Sequence, residues 1–216
     1  MAKTEIPEWV PLFPLPTVVL FPKTYLPLHI FEPRYREMVE DALQGDRMIG
    51  MVLLKEGWEA DYDGRPPIYE TGSIGKIVRS QRLDDGRFNI ILYGLEKCLV
   101  RTEKQDRSYR QGQIDILREP AVEALYAPLK ERLVELTLEY RQKMPEGESL
   151  QSVLETGLED DVLVATLSAG LPLTVVEKQF LLEAETLPLR ARRLAALMEM
   201  GLQRTDTMEN ADDETA

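Results

Sequence analysis

A single histidine and a single cysteine limit the chemistry this chain can do. His29 lies in the apolar string Leu28-His29-Ile30-Phe31, and no G-x-S-x-G elbow supplies a serine for it to activate. A structural histidine with partnered ring nitrogens is therefore expected rather than a general base. Cys98 alternates with charges in Glu96-Lys97-Cys98-Leu99-Val100 and reads as a buried, inert thiol. One cysteine and one histidine cannot form a disulfide framework or a Cys/His zinc site within one chain. The carboxylates that could pair as acid and base, Asp84/Asp85 and Glu159/Asp160/Asp161, fall in a turn and in a first helical turn. Water or the helix dipole keeps them ionised there. Gly72-Ser73-Ile74-Gly75-Lys76-Ile77 lacks the spacing of a phosphate loop, and Ile77 stands where a magnesium-holding hydroxyl would be needed. No cofactor, no metal and no ATP binding or hydrolysis are expected, and the chain reads as non-enzymatic.

Two sets of residues could instead bind a partner. Trp58 and Tyr62 sit in the polar loop 57–67, where aromatic rings either pack back onto the domain or anchor a peptide. Arg79, Arg82 and Arg87 flank a hairpin and offer a polyanion contact. Lys97, Arg101, Lys104, Arg107 and Arg110 follow with Tyr109 among them, but Glu103 and Asp106 dilute the patch toward a solvated mixed-charge face.

The elements that hold these residues differ between the two parts of the chain. Residues 1–118 carry 17 Lys/Arg and 18 Asp/Glu, whereas residues 119–216 carry 9 and 20, so nearly all of the net charge of −12 lies in the second part. That acidity disfavours nucleic acid and anionic membrane as whole-chain partners. Seven of the 14 prolines lie in the first 33 residues and forbid a helix until Pro33. Val18–Phe21 and Leu26–Phe31 read as short strands, and the spacing of Tyr35, Met38, Val39, Ala42 and Leu43 predicts a helix from Pro33 to about Gly45. Met48–Leu54 reads as a buried strand. Asp84-Asp85-Gly86 turns a hairpin between Ser73–Leu83 and Arg87–Tyr93, with Gly94 as a bulge or bend. In the second arm Phe88, Ile90 and Leu92 share one face and Ile91 and Tyr93 the other, which implies a strand covered on both sides. Leu95–Val100 and Gln113–Leu117 supply further strands.

The second part reads as helices. Leu129, Leu133, Leu136 and Tyr140 form one stripe, Ser149 caps a helix with Leu150, Val153 and Leu154 inward, and Leu158, Val162, Ala165 and Ala169 form another. Thr174-Val175-Val176-Glu177 is a capping box ahead of inward Phe180, Leu181 and Ala184, and Pro188 opens a last helix. The expected organisation is a β-rich part over 1–118, a helical bundle over 119–203 and a disordered acidic tail over 204–216. No stretch reaches the roughly 20 apolar residues of a membrane span, and prolines 7, 11, 14 and 16 interrupt any signal peptide, so a cytoplasmic location is expected.

The string from Pro11 to Pro22, then Leu26-Pro27-Leu28-His29-Ile30-Phe31-Glu32-Pro33-Arg34-Tyr35-Arg36, resembles the opening of the Lon protease N-terminal, substrate-binding domain. Gly72–Val78 with Arg87–Leu99 resembles its central hairpin, and Leu171–Glu183 its helical end; the likeness covers about residues 9–202. The resemblance implies an α+β fold, a PUA-like antiparallel β pseudo-barrel with one helix followed by an α-helical bundle. It implies a stand-alone member without motor or peptidase, and it carries over no catalytic position. The expected partners are unfolded or extended polypeptide and a proteolysis component, with oligomeric state left open. Such a module would bind through exposed apolar surface, in a cleft between the two parts or at a sheet edge that accepts a strand. A PUA-like RNA-binding module using the basic hairpin face is the alternative.

Overall fold

The computed structural model describes residues 5–62, 64–104, 106–120, 124–143 and 157–213. The chain divides into two compact units, Met1–Arg118 and Glu119–Ala216, and the fold class is α+β.

The first unit holds six strands and one α-helix: β1 (Trp9–Leu15), β2 (Tyr25–Ile30), α1 (Pro33–Gln44), β3 (Met48–Leu53), β4 (Thr71–Arg82), β5 (Phe88–Lys104) and β6 (Gln111–Leu117). Strand order is β2-β5-β4-β3-β1-β6, and β6 also pairs with β5, so five strands close into a barrel. The length of β5 makes this possible. Its first half pairs with β2 and its second half with β6, while β4 runs along both. Closure removes most of the free edges that an open sheet would leave to solvent; β2 and the end of β4 each keep one. All pairings are antiparallel but one: β1 and β3 run parallel, because the chain returns between them through β2 and α1.

Local chemistry explains most of these elements. Gly86 takes φ 81° in the β4–β5 turn, where Leu83 N–H donates to Arg87 O at 2.8 Å. α1 begins with Pro33 and buries Tyr35, Met38, Val39 and Ala42 against Ile77, Phe88, Ile90 and Leu92. A second core of Val10, Leu12, Val52, Ile74, Cys98, Val100 and Ile114 lies apart from it.

The structure overturns the local expectations at Val18–Phe21 and at Ile91 and Tyr93, adds a strand at Trp9–Leu15, and bears out Gly94 as a bulge. Val18–Phe21 forms no strand: Leu20 and Phe21 are buried as a loop, which Thr24 Oγ1 ties by donating to Phe21 O at 2.8 Å. Trp9–Leu15 forms a strand despite Pro11 and Pro14, because β6 pairs with residues 9–11 and β3 with 12–15. Each proline thus has a partner strand on one side only, and its missing N–H can face the open side. Gly94 bends β5 without ending it. The register shifts by one residue there, and a Cβ on Gly94 would sit 2.1 Å from Phe21 O, so only glycine fits. Finally, Ile91 and Tyr93 are not covered as the two-faced alternation implied. They are half-exposed beside exposed Tyr25, Pro27 and Asn89.

The second unit is helical among its described residues: α2 (Ala127–Lys143), α3 (Asp160–Gly170), α4 (Val175–Leu182) and α5 (Leu187–Asp213). Leu133, Leu136, Leu163, Val164, Leu181, Leu194 and Met198 are buried. The capping box forms as the spacing requires: Thr174 Oγ1 accepts from Glu177 N–H at 3.2 Å, and Glu177 Oε2 accepts from Thr174 N–H at 2.8 Å. Phe180, expected to face inward, is 45% exposed, with the Arg193 guanidinium 4.0 Å from its ring centroid. The expected Ser149 helix lies outside the described residues. α5 continues past residue 203, since no proline or glycine follows Gly201 to stop it. The side chains of 205–213 lie outside the described set.

Candidate functional site

The antiparallel register sorts the side chains of β2, the first half of β5 and the second half of β4 onto two faces. Leu26, Leu28, Ile30, Phe88, Ile90, Leu92 and Ile77 join the core under α1. The other face presents three cross-strand rows: Tyr25, Tyr93 and Lys76; Pro27, Ile91 and Arg79; His29, Asn89 and Gln81. Phe31 follows at the end of β2, 59% exposed, and Tyr25 is 68% exposed. The Tyr25 and Tyr93 rings lie 5.0 Å apart, centroid to centroid. A depression of about 450 Å³ opens among Pro27, His29, Arg79, Gln81, Asn89 and Ile91. That volume falls within the range of ligand sites, about 300–1,000 Å³. The face thus offers an apolar strip on β2 and β5 flanked by the polar side chains of β4, whose register against β5 shifts between Ile77 and Arg79.

Both ring nitrogens of His29 have partners. Its Nδ1 lies 2.7 Å from Asn89 Oδ1 and its Nε2 lies 3.3 Å from Arg87 Nη1, so Nδ1–H donates to the amide and Nε2 accepts from the guanidinium. Arg87 in turn donates from Nε to Asp85 Oδ2 at 2.6 Å, and this bond holds the Asp85 carboxyl below the usual carboxylate range. Cys98 is fully buried, and burial pushes its thiol up to about 12, which leaves no thiolate for chemistry. Among the described residues, no group of three or more His, Cys, Asp or Glu is placed to hold a metal ion. No helix described is long and apolar enough to cross a membrane.

The structure separates the sequence-chosen residues. Trp58 and Tyr62 come together, with rings 5.4 Å apart, but on their own chain. The Tyr62 hydroxyl donates to Glu32 Oε1 at 2.6 Å, and the Arg34 guanidinium covers the same ring at 4.9 Å. Glu32 also accepts from Arg34 Nε at 3.0 Å, so it holds the loop instead of capping α1. Burial and the bond to Glu32 both raise the Tyr62 pKa. Trp58 packs against the second core. The cavity beside this loop measures about 20 Å³, room for one water and no side chain.

The three arginines also part company. Arg79 lines the depression. Arg82 pairs with Glu40 at 3.1 Å and lies 5.6 Å over the Phe88 ring, while Arg87 is engaged with Asp85 and His29. The face also brings together Tyr25, Pro27, Ile91 and Tyr93, which the sequence analysis did not single out as a contact set. The alternation in Phe88–Tyr93 carried the signal, but periodicity cannot tell a covered apolar face from an open one.

The first unit is a five-stranded mixed barrel with an appended strand and one helix, and the second unit is helical among its described residues. The chain belongs to the ATP-dependent protease La (LON) substrate-binding domain family, whose family model matches residues 9–200. The Lon protease of Trichlorobacter lovleyi is 31% identical over 188 residues, which cover 84% of this chain and 22% of that protein. The Lon protease of Cytophaga hutchinsonii is 27% identical over 210 residues, covering 94% of this chain and 25% of that protein. The chain spans about a quarter of the length of these curated relatives, and the family model it matches describes their substrate-binding part, not their peptidase. Among solved structures, the Lon N-terminal domain protein from Xanthomonas campestris superposes with TM-score 0.66 at 21% identity. That match covers 87% of this chain and 97% of that one. The N-terminal domain of Mycobacterium avium complex Lon protease gives TM-score 0.65 at 17% identity, covering 88% and 98%.

Proposed function

We propose that this protein is a non-catalytic polypeptide-recognition module that takes exposed apolar segments on the outer face of β2, β5 and β4. One observation carries the reading: Tyr25, Pro27, Ile91 and Tyr93 form a solvent-open apolar strip, and Pro27 and Ile91 line a depression of about 450 Å³. Apolar side chains on a rigid sheet gain by leaving water, at about 25 cal/mol per Å². Membership of a substrate-binding-domain family supports polypeptide as the ligand class and a proteolysis component as the neighbour it works with.

Recognition runs across the face rather than by adding a strand to β2. Gly94 N–H donates to Thr24 O, and counting along the register puts Pro27 and Ile91 in a non-hydrogen-bonded pair. The edge of β2 therefore has Pro27 at its middle, without a donor, which blunts strand addition. The test is fluorescence titration of a reduced, unfolded client with the full chain. Binding at about tens of micromolar is expected, weakened by Tyr25→Thr/Ile91→Thr and unaffected by Trp58→Ala. Loss of binding in Trp58→Ala with a normal Tyr25→Thr/Ile91→Thr would move the site to the loop.

A further inference from the structure

The charges around the open face are unequal in a way the sequence order hides. Arg87 is compensated by Asp85, and its contact to His29 completes a hydrogen-bonded row, Asp85–Arg87–His29–Asn89, along the turn end of the face. Arg82 is paired with Glu40. Arg79 stands in the depression, opposite Ile91, with no hydrogen bond or ion pair among the described residues. Lys76, opposite Tyr93, likewise has none. No acidic residue lines the depression. An apolar strip therefore ends in an uncompensated guanidinium, which can meet a carboxylate with two parallel N–H···O bonds.

We infer that the face selects apolar segments that carry an acidic side chain beside the apolar residue, the carboxylate meeting Arg79 while the apolar side chain rests on Pro27 and Ile91. This rests on the polypeptide-recognition reading above and names the ligand that face prefers. Geometry sets the spacing. Neighbouring strands lie about 4.8 Å apart and an extended chain advances about 3.3 Å per residue, so the acid belongs about one to three residues from the apolar contact. The chain's net charge of −12 opposes an acidic ligand. At about 0.15 M salt, however, the Debye length is about 8 Å, so charges beyond that reach are largely screened while a carboxylate on Arg79 is in direct contact.

The experiment is fluorescence anisotropy with the full chain at about 0.15 M salt. Three labelled, C-terminally amidated peptides share an apolar centre and differ only in flanking Glu, Gln or Lys. Exposed ion pairs are modest, so affinity should fall from Glu to Gln to Lys by about tenfold overall. At about 1 M salt, where screening reaches about 3 Å, the three should agree within about twofold. Arg79→Gln should remove the order and Arg79→Glu should reverse it, whereas Arg82→Gln should leave it intact. Melting curves that overlay the parent's show that the variants fold. Equal affinities on the parent, with all three peptides weakened by Tyr25→Thr/Ile91→Thr, would overturn the charge selection and leave the face in place. Binding untouched by that double variant would overturn both. Displacement of the Glu peptide by a single-stranded oligonucleotide at lower concentration than by unlabelled peptide would overturn the inference in favour of nucleic acid.

Discussion

Two aromatic pairs in the β-rich unit look alike in composition and differ in what they can do. Trp58 and Tyr62 stack edge to face at 5.4 Å, yet the Tyr62 hydroxyl is held by Glu32, its ring is covered by Arg34, and Trp58 leans on the barrel core. Tyr25 and Tyr93 lie 5.0 Å apart on an open strand face, with Tyr25 68% exposed. The first pair has its partners within the chain and stabilises a loop. The second keeps apolar area in contact with water, and that area is available to a ligand. Exposure of a ring in sequence terms is a poor guide; what decides is whether its polar atoms and faces are already occupied.

Breaking the scaffold beneath the open face should have the largest effect. Gly94→Val places a side chain where a Cβ already meets Phe21 O at 2.1 Å, so unfolding free energy should drop by about 3 kcal/mol and binding should fall with it. Next comes Trp58→Ala, expected to cost about 2 kcal/mol in denaturant unfolding because a half-buried indole leaves the second core, with client affinity unchanged. Tyr25→Thr/Ile91→Thr should do the reverse. Affinity should fall about tenfold or more while stability stays within about 0.5 kcal/mol, since threonine keeps the strand preference and these positions are open. Tyr62→Phe sharpens the contrast: it removes the bond to Glu32, costs about 1 kcal/mol, and leaves binding alone.

The smallest effect lies in the helical unit, as a control. Lys130 Nζ, 2.6 Å from Asp160 Oδ1, with help from Leu125 N–H, holds the Asp160 carboxyl below the usual carboxylate range. A depressed folded-state pKa contributes stability above the unfolded value of about 3.9 and loses it as pH falls through the folded value. Asp160→Asn should therefore lower the melting temperature near neutral pH by the equivalent of less than about 1 kcal/mol, Lys130 being half-exposed. The parent and variant curves should converge as pH falls through the depressed folded-state value, and client affinity should not change.

Much of the fold was legible because its signals are local. The Asp84-Asp85-Gly86 turn, the buried face of α1 and the Thr174–Glu177 box each depend on residues within a few positions of one another. What could not be read depends on distant partners. A strand with Pro11 and Pro14 becomes acceptable only when β6 and β3 take separate halves of it. The run Val18–Phe21 is apolar enough for a strand, but Leu20 and Phe21 serve the core as a loop. Phe180 has helical spacing for the interior but is exposed, with Arg193 covering the ring. The site failed for the same reason. Ile91 and Tyr93 showed a second apolar face, and only the tertiary structure reveals that nothing in the described unit covers it.

The most direct measurement is amide chemical-shift mapping of the full chain as an unfolded, apolar-rich client is added. The account predicts that the shifts concentrate at residues 25–31, 76–81 and 88–93, the three strands of the open face. Shifts confined to residues 57–67, or to the helices from Ala127 to Asp213, would contradict it.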